Sequence, residues 1–287
     1  MSSDITKAFV KQFEQGITHL AQQKGTRLRS AVRVKSGITG DRAFFDQLDA
    51  TTMQEATTRH GDTVYTDTPH ARRMVTLATF RVADLIDVPD KVKTLNDPTS
   101  EYVVSFANAA GRKTDDVIIA AAFATAKTGV DGGTDETFNT TDYRIASGSV
   151  GLTNSKLITA RKILKEAEND ADMGFKICVN QEQLEDMLLD TTTTSGDYAV
   201  VKALVSGEID HWIGFDFIQS ERLATTSSER RVIAWAKDQI LVCIGAEPQG
   251  RITELPTKNF STQVFYSLML GATRMSGTGV VEIRCTE

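Results

Sequence analysis

The chain of 287 residues is long enough for one large domain or two modest ones, and with 40% hydrophobic and 24% charged residues it belongs with globular rather than disordered chains. No uncharged apolar run of about eighteen residues occurs, so no membrane span is expected. Asp4, Lys7, Lys11 and Glu14 interrupt the N-terminus too often for a signal peptide, so the chain is expected to stay where it is made. A net charge of −6 is not the basic balance of a dedicated nucleic-acid reader, although a local basic run occurs at Arg27, Arg29, Arg33 and Lys35.

Residues 1–35 read as helix, because Ile5, Ala8, Phe9, Phe13, Ile17 and Leu20 keep an apolar stripe near period 3.6, with Ser3 or Asp4 as N-cap and an interruption at Gly25. The stripe is narrow and must pack on something, in its own subunit or a neighbour. Over 55–88 the pattern turns to alternation. The runs 57–65 and 73–82 predict two antiparallel strands with a tip near 66–71, where Asp67-Thr68-Pro69-His70 signals a turn. Such an arm has few large apolar residues near its tip and exposes strand edges that need a partner.

Asp97-Pro98 starts the clearest helix, 97–128, with Tyr102, Val103, Phe106, Ala110, Val117, Ala121 and Ala124 at helical spacing and a stop at Gly129. Unbroken, it would run on the order of 45 Å and act as a strut. Residues 130–152 read as loop. Beyond them the pattern predicts a helix over 154–170, a strand over 174–179, a helix over 181–189, a loop over 191–197 and a helix over 198–205. Strands follow at 212–218, 231–235 and 240–244. This mixture implies a compact α/β or α+β unit. The tail turns β-rich, with strands at 251–255, 262–268 and 280–284.

Catalytic motifs are mostly missing. His19, His60, His70 and His211 lack metalloprotease spacing, and no GxGxxG or GxSxG occurs. Gly148 to Lys156 is faintly like a phosphate loop but lacks the Gly before Lys; it reads as a Gly-rich hinge before a helix. Glu182, Glu185, Asp186 and Asp190 read as a solvated helix face, and Thr191–Thr194 as a surface loop. Cys178, Cys243 and Cys285 are odd in number and far apart, so they read as reduced, buried thiols rather than a disulfide framework or a metal site. For the basic run at 27–35, contact with nucleic-acid phosphates and pairing with acidic neighbours stand level. No cofactor and no metal is expected.

The order of parts resembles the major capsid proteins of tailed bacteriophages, the Hong Kong 97-like fold. Asp67-Thr68-Pro69 through Arg72-Arg73-Met74-Val75 looks like the family's extended loop, and Asp84-Leu85-Ile86-Asp87 with Asp90-Lys91 like its return to the body. Asp97-Pro98, then Ala109-Ala110-Gly111-Arg112 with Asp115-Asp116, looks like the spine helix. Gly207-Glu208-Ile209 and Ile213-Gly214-Phe215-Asp216-Phe217 look like the strand entering the axial domain, and Gly271-Ala272-Thr273-Arg274 with Gly279-Val280-Val281 like the closing strands. The resemblance spans nearly the whole chain. It implies an α+β fold with an N-terminal arm (1–54), an extended hairpin loop (55–90), a peripheral domain (91–150) with its spine helix, an axial α/β domain (151–249) and return strands (250–287).

The resemblance further implies a non-enzymatic subunit of an icosahedral shell, a homo-oligomer of pentamers and hexamers in the virion, assembled in the host cytoplasm around double-stranded DNA without sequence specificity. No long helical segment precedes the arm, so a separate scaffolding protein is expected, with a portal. An acidic subunit suits a DNA container, since a basic lining would trap its content. Contacts between subunits are expected at Arg59, His60, Asp62, Asp67, His70, Arg72 and Arg73 on the hairpin and at Arg27 and Arg29 on the arm, with Arg81 a further cation for acidic neighbours. Gly61, Gly111 and Gly132-Gly133 are expected hinges. An encapsulin-like shell holding protein cargo and an unrecognised α/β enzyme are the competing readings.

Overall fold

The computed structural model describes residues 22–55, 59, 61–63, 65–86, 99–168, 174–190 and 210–287. The helix expected over 1–21, the helix start at Asp97-Pro98 and the elements expected over 191–209 lie outside the described residues. Among the described residues there are three α-helices and fifteen strands in three sheets, an α+β arrangement.

Residues 22–36 are not helical. A 3-10 turn at Arg29–Ala31 leads into strand β1 (Arg33–Ser36). Gly25 takes φ +67. Buried Leu28, Ala31 and Val32 dock on the core, so tertiary packing overrides the continued helix. Strand β2 (Arg42–Leu48) then pairs antiparallel with β3 (His70–Thr76), in register Arg42↔Thr76 to Leu48↔His70. The hairpin expected at 57–65 and 73–82 is therefore built differently. Its partner strand lies upstream at 42–48, and none of the described residues of 57–65 is in a strand. The expected strand 73–82 also divides. Buried Leu77 separates β3 from β4 (Ala78–Ile86), which joins another sheet.

Helix α1 (Thr99–Phe123) has 25 residues, about 37 Å at ~1.5 Å per residue. Phe106, Ala110, Thr114, Asp115, Ile118, Ile119 and Ala122 form its buried face. It stops before the expected end because Ala126–Thr128 (β5) pairs with β3 and with β6 (Thr134–Glu136), and strand pairing outweighs the mild helix preference of Ala and Lys. Gly111 neither kinks nor divides α1. A Cβ there would overlap the backbone of Gly25, so this glycine admits the arm to the helix surface. Strands β2, β3, β5 and β6 form a small sheet in the order β2-β3-β5-β6.

After β7 (Arg144–Ile145), helix α2 (Asn154–Glu166) begins at the cap Thr153 and ends short of the expected residue 170. Strand β8 (Phe175–Val179) and helix α3 (Gln181–Leu189) fall where the pattern put them. In α3 the Asn180 side chain accepts from the backbone N–H of Gln183, whose side chain accepts from that of Asn180, a reciprocal cap. The expected strand 212–218 is a tight hairpin, β9 (His211–Trp212) and β10 (Phe215–Gln219), turning at Ile213 (φ 50) and Gly214 (φ 78). Strands β11 (Thr225–Thr226), β12 (Glu229–Ala236) and β15 (Val280–Thr286) complete a sheet in the order β7-β15-β12-β8-β10-β9, with β11 on β12. The main core lies on it, where α2, α3 and the C-terminal half of α1 bury Trp235, Phe215, Ile177, Leu157, Leu184 and Ile118.

The strands expected at 240–244 and 251–255 are one strand, β13 (Ile240–Leu255), and β14 (Ser261–Arg274) is longer than expected. The two form a long hairpin whose register shifts between Ile244 and Gln249, around Pro248, which has no N–H to donate. With β1 and β4 they make the third sheet, in the order β1-β13-β14-β4. The domain boundary expected between residues 249 and 250 falls inside β13, and β15 belongs to the sheet of β8 and β12.

Candidate functional site

The residues expected at contacts between subunits divide into exposed side chains and side chains bound within the chain. Arg59, Asp62, Asp67 and His70 are exposed, and His60 is outside the described residues. Arg72 is half-buried. Its Nε donates to Asp46 Oδ1 on the facing strand at 2.6 Å, and its guanidinium lies 5.9 Å from the ring centre of Phe44. The Arg72 hydrogen bond holds the Asp46 carboxyl below its ordinary pKa, and that carboxylate raises Arg72 in turn. Arg73 points the other way. It is buried, donates from Nε to the Met275 carbonyl at 2.6 Å and pairs with Glu136 at 2.7 Å.

The arm cations also bind within the chain. Arg27 Nη1 donates to the Gln219 carbonyl at 2.7 Å, and Arg29 pairs with Glu247 at 2.8 Å. Two acidic neighbours on α1 hold the segment around them. Fully buried Asp115 accepts from the backbone N–H groups of Arg27 and Leu28 and from the Thr26 hydroxyl, and Asp116 takes a bidentate pair from Arg222. Of the two readings of the basic run, pairing with acidic groups is thus present for Arg29, inside the subunit.

Sequence reasoning missed the outer face of β2. Phe44 and Leu48 are exposed there, beside exposed Val130 on the loop after β5, and Leu48, His70, Arg72 and Val130 help line a groove of about 650 Å³. The alternation of Ala43, Phe45 and Gln47 inward against Phe44, Asp46 and Leu48 outward was the available signal. Beyond β2, Met53 and Tyr65 are almost wholly exposed.

Two other sequence readings change. The acidic face of α3 is partly structural, since Asp186 accepts from the Leu152 backbone at 3.0 Å and Asp190 from the Asn154 backbone at 3.1 Å. Lys156 is buried, and its ammonium lies 2.8–2.9 Å from the carbonyls of Ser147, Val150, Gly151 and Arg284. The Gly-rich stretch before α2 is therefore a turn wrapped around a lysine, neither a phosphate cradle nor a free hinge. Burial lowers the Lys156 pKa. Cys178, Cys243 and Cys285 are buried free thiols, as the spacing indicates. Among the described residues, no group of three or more His, Cys, Asp or Glu could hold a metal ion, and no helix is long and apolar enough to cross a membrane.

A family model described as phage capsid protein matches residues 5–287. The chain belongs to this phage capsid protein family. No curated protein matches it in sequence. The fold is similar to solved capsid structures. For the capsid of cyanophage P-SCSP1u the TM-score is 0.72 at 17% identity, covering 100% of this chain and 96% of the other. For the cyanophage Pam1 capsid asymmetric unit it is 0.74 at 14% identity, covering 98% and 97%. For the capsid of a native GTA particle it is 0.73 at 10% identity, covering 100% of both. These identities speak to the fold, which is the α+β capsid fold expected from the order of parts. The protein is a major capsid protein that forms a phage shell, and the virion capsid is its place. The match favours this reading over the encapsulin-like shell and the α/β enzyme.

Proposed function

We propose that the subunit builds an icosahedral shell of pentamers and hexamers around double-stranded DNA, and that the hairpin of β2 and β3, with the chain segment 49–69 between them, is the element it lays on a neighbouring copy. The carrying observation is the outer face of this hairpin. Phe44, Leu48, Met53 and Tyr65 are exposed, and β2 is a free sheet edge. The contact residues would be Arg59, His60, Asp62, Asp67, His70 and Arg72. Arg73, Arg27 and Arg29 would act indirectly, by holding the hairpin root and the arm through the partners described above. Each exposed pair contributes little, at most about 1 kcal/mol, but every pair recurs across the shell.

In this reading the subunit catalyses nothing, assembles in the host cytoplasm with a separate scaffolding protein and a portal, and meets DNA without sequence specificity. Of the five units expected along the chain, the hairpin would take in β2 as well as β3, and β15 would belong with the axial unit rather than with the return strands.

The test is assembly. The chain is expressed alone and together with a candidate scaffolding protein, followed by size exclusion and negative-stain microscopy. Closed shells are expected, and replacing 49–69 by a short turn should leave a folded subunit that no longer closes them. Small discrete oligomers at high concentration, with and without scaffold, would refute the proposal.

A further inference from the structure

We infer that the group Arg73–Glu136–Arg274, two buried arginines around a half-buried glutamate, is the joint that sets the angle of the hairpin sheet against the body of the subunit. Arg73 stands on β3, Glu136 on β6 and Arg274 at the end of β14, so the group gathers two strands of the small sheet and one of the body. Arg73 is 6% exposed and Arg274 is fully buried. Glu136 binds both: its carboxylate takes Arg73 Nη2 at 2.7 Å, and its backbone carbonyl takes Arg274 Nη2 at 3.4 Å.

Arg274 continues the contact into the spine helix. Its Nη1 donates to the carbonyls of Ala122 at 3.0 Å and Ala124 at 3.1 Å, closing the C-terminal end of α1, and its guanidinium lies 5.2 Å from the ring centre of Phe138. The negative end of the α1 dipole adds to the compensation of this second cation, which one carboxylate does not complete. The neighbouring carbonyl of Met275 receives Arg73 Nε at 2.6 Å and Gln47 Nε2 from β2 at 3.1 Å. Both strands of the hairpin thus end on one point of the body. Thr76 crosses β14 so closely there that a Cβ on Gly271 would overlap its carbonyl.

A joint needing only strength would be apolar, because buried ion pairs are often no more stabilising than hydrophobic groups of the same volume. Arg73 Nη1 and Arg274 Nε have no acceptor among the described residues, so this group does not maximise stability. Its hydrogen bonds are directional. They fix how the hairpin sheet leaves the end of α1, and α1 also holds the arm through Asp115. Arm, spine helix and hairpin are therefore linked by consecutive polar contacts.

The inference draws on the reading of the hairpin as the inter-subunit element only for its consequence in a shell. Hydrogen exchange of the unassembled subunit tests the joint by itself. Glu136→Gln should raise exchange over 42–48, 70–76 and 126–136 by about tenfold, since its one charged hydrogen bond, to Arg73, is lost, while 175–179 and 232–236 stay as in the wild type. Arg73→Met, which keeps the aliphatic stem, should give the same local pattern, and combining the two should add little. Asp46→Asn, which removes the exposed hairpin pair, should change exchange by no more than about twofold. Unchanged exchange in Glu136→Gln and Arg73→Met, or a uniform rise that includes the central strands, would overturn the joint. Shell failure with the local pattern absent would count against the joint and leave the hairpin reading standing.

Discussion

Glu282 offers a sharp test of how this subunit uses buried charge. Its side chain is fully buried on β15 and receives Arg231 Nε at 2.5 Å, Arg144 Nε at 2.6 Å and Arg284 Nε at 3.1 Å. Burial alone would raise the Glu282 pKa, but the hydrogen bonds and charges of Arg231 and Arg144 outweigh it and the net shift is downward. Glu282→Gln keeps the shape and removes the charge. Breaking a buried pair costs about 3–5 kcal/mol. The side chains of Arg231, Arg144 and Arg284 are 23%, 30% and 17% exposed, and Arg284 also has Glu229, so water and that carboxylate recover part of the loss. A cost of about 2–4 kcal/mol remains at pH 7. Because the folded pKa lies below the unfolded value, the stabilisation is fully present above about pH 4.5 and is lost as the pH falls through the folded value. Urea unfolding of the unassembled subunit, followed by the fluorescence of buried Trp235, measures the cost. The gap between wild type and variant should be constant near neutrality and narrow below about pH 4.5. Glu287, also lowered but by Arg230, Gln183 and Asn180, acts equally in both proteins and leaves the difference unaffected. A gap under about 0.5 kcal/mol at pH 7, or one unchanged at pH 3, would refute the reasoning.

Three further predictions follow from the same geometry. Gly111→Ala should destabilise the protein although alanine favours an exposed helix interior by about 1 kcal/mol, because its methyl displaces Gly25; limited proteolysis should show faster cleavage around 22–28. Lys156→Met leaves four carbonyls without their ammonium and should cost about 2–3 kcal/mol in urea unfolding, with faster hydrogen exchange over 147–151. Burial pushes the thiols of Cys243 and Cys285 up to about 12 and raises Cys178 as well, so an aromatic disulfide reagent should label none in the native subunit and all three in urea.

Elements whose signal is local were legible in the sequence. The α3 boundaries follow from Asn180 and Gln183 capping one another, and β8 from the apolar run Phe175 to Val179. Buried thiols followed from cysteine spacing alone. Elements decided by distant partners were less legible. The end of α1 depends on Arg274 and on the pairing of β5 with β3, and both lie far from Phe123 in sequence. The break at Leu77 has no turn residue to announce it, since this leucine is buried between two sheets. The burial of Lys156 was not legible, because nothing in the sequence places the Arg284 carbonyl beside it.

The hairpin shows why a wrong partner can still lead to the right region. Phe44 and Phe45 stand side by side, so their alternation is hidden: one faces outward and the other packs beside Leu77. The Thr-rich stretch 57–65 therefore looked the better strand. Pairing β3 with β2 instead puts Arg59, His60, Asp62 and Asp67 between the two strands in sequence. His70 and Arg72 sit where the strand begins, with Arg72 paired to Asp46 and outward. Arg73, next in sequence, must face the other side of the sheet, because successive strand residues alternate. That alternation alone separates an arginine available to a neighbour from one fixed inside the subunit, and it could have been applied to Arg72 and Arg73 before any partner strand was known.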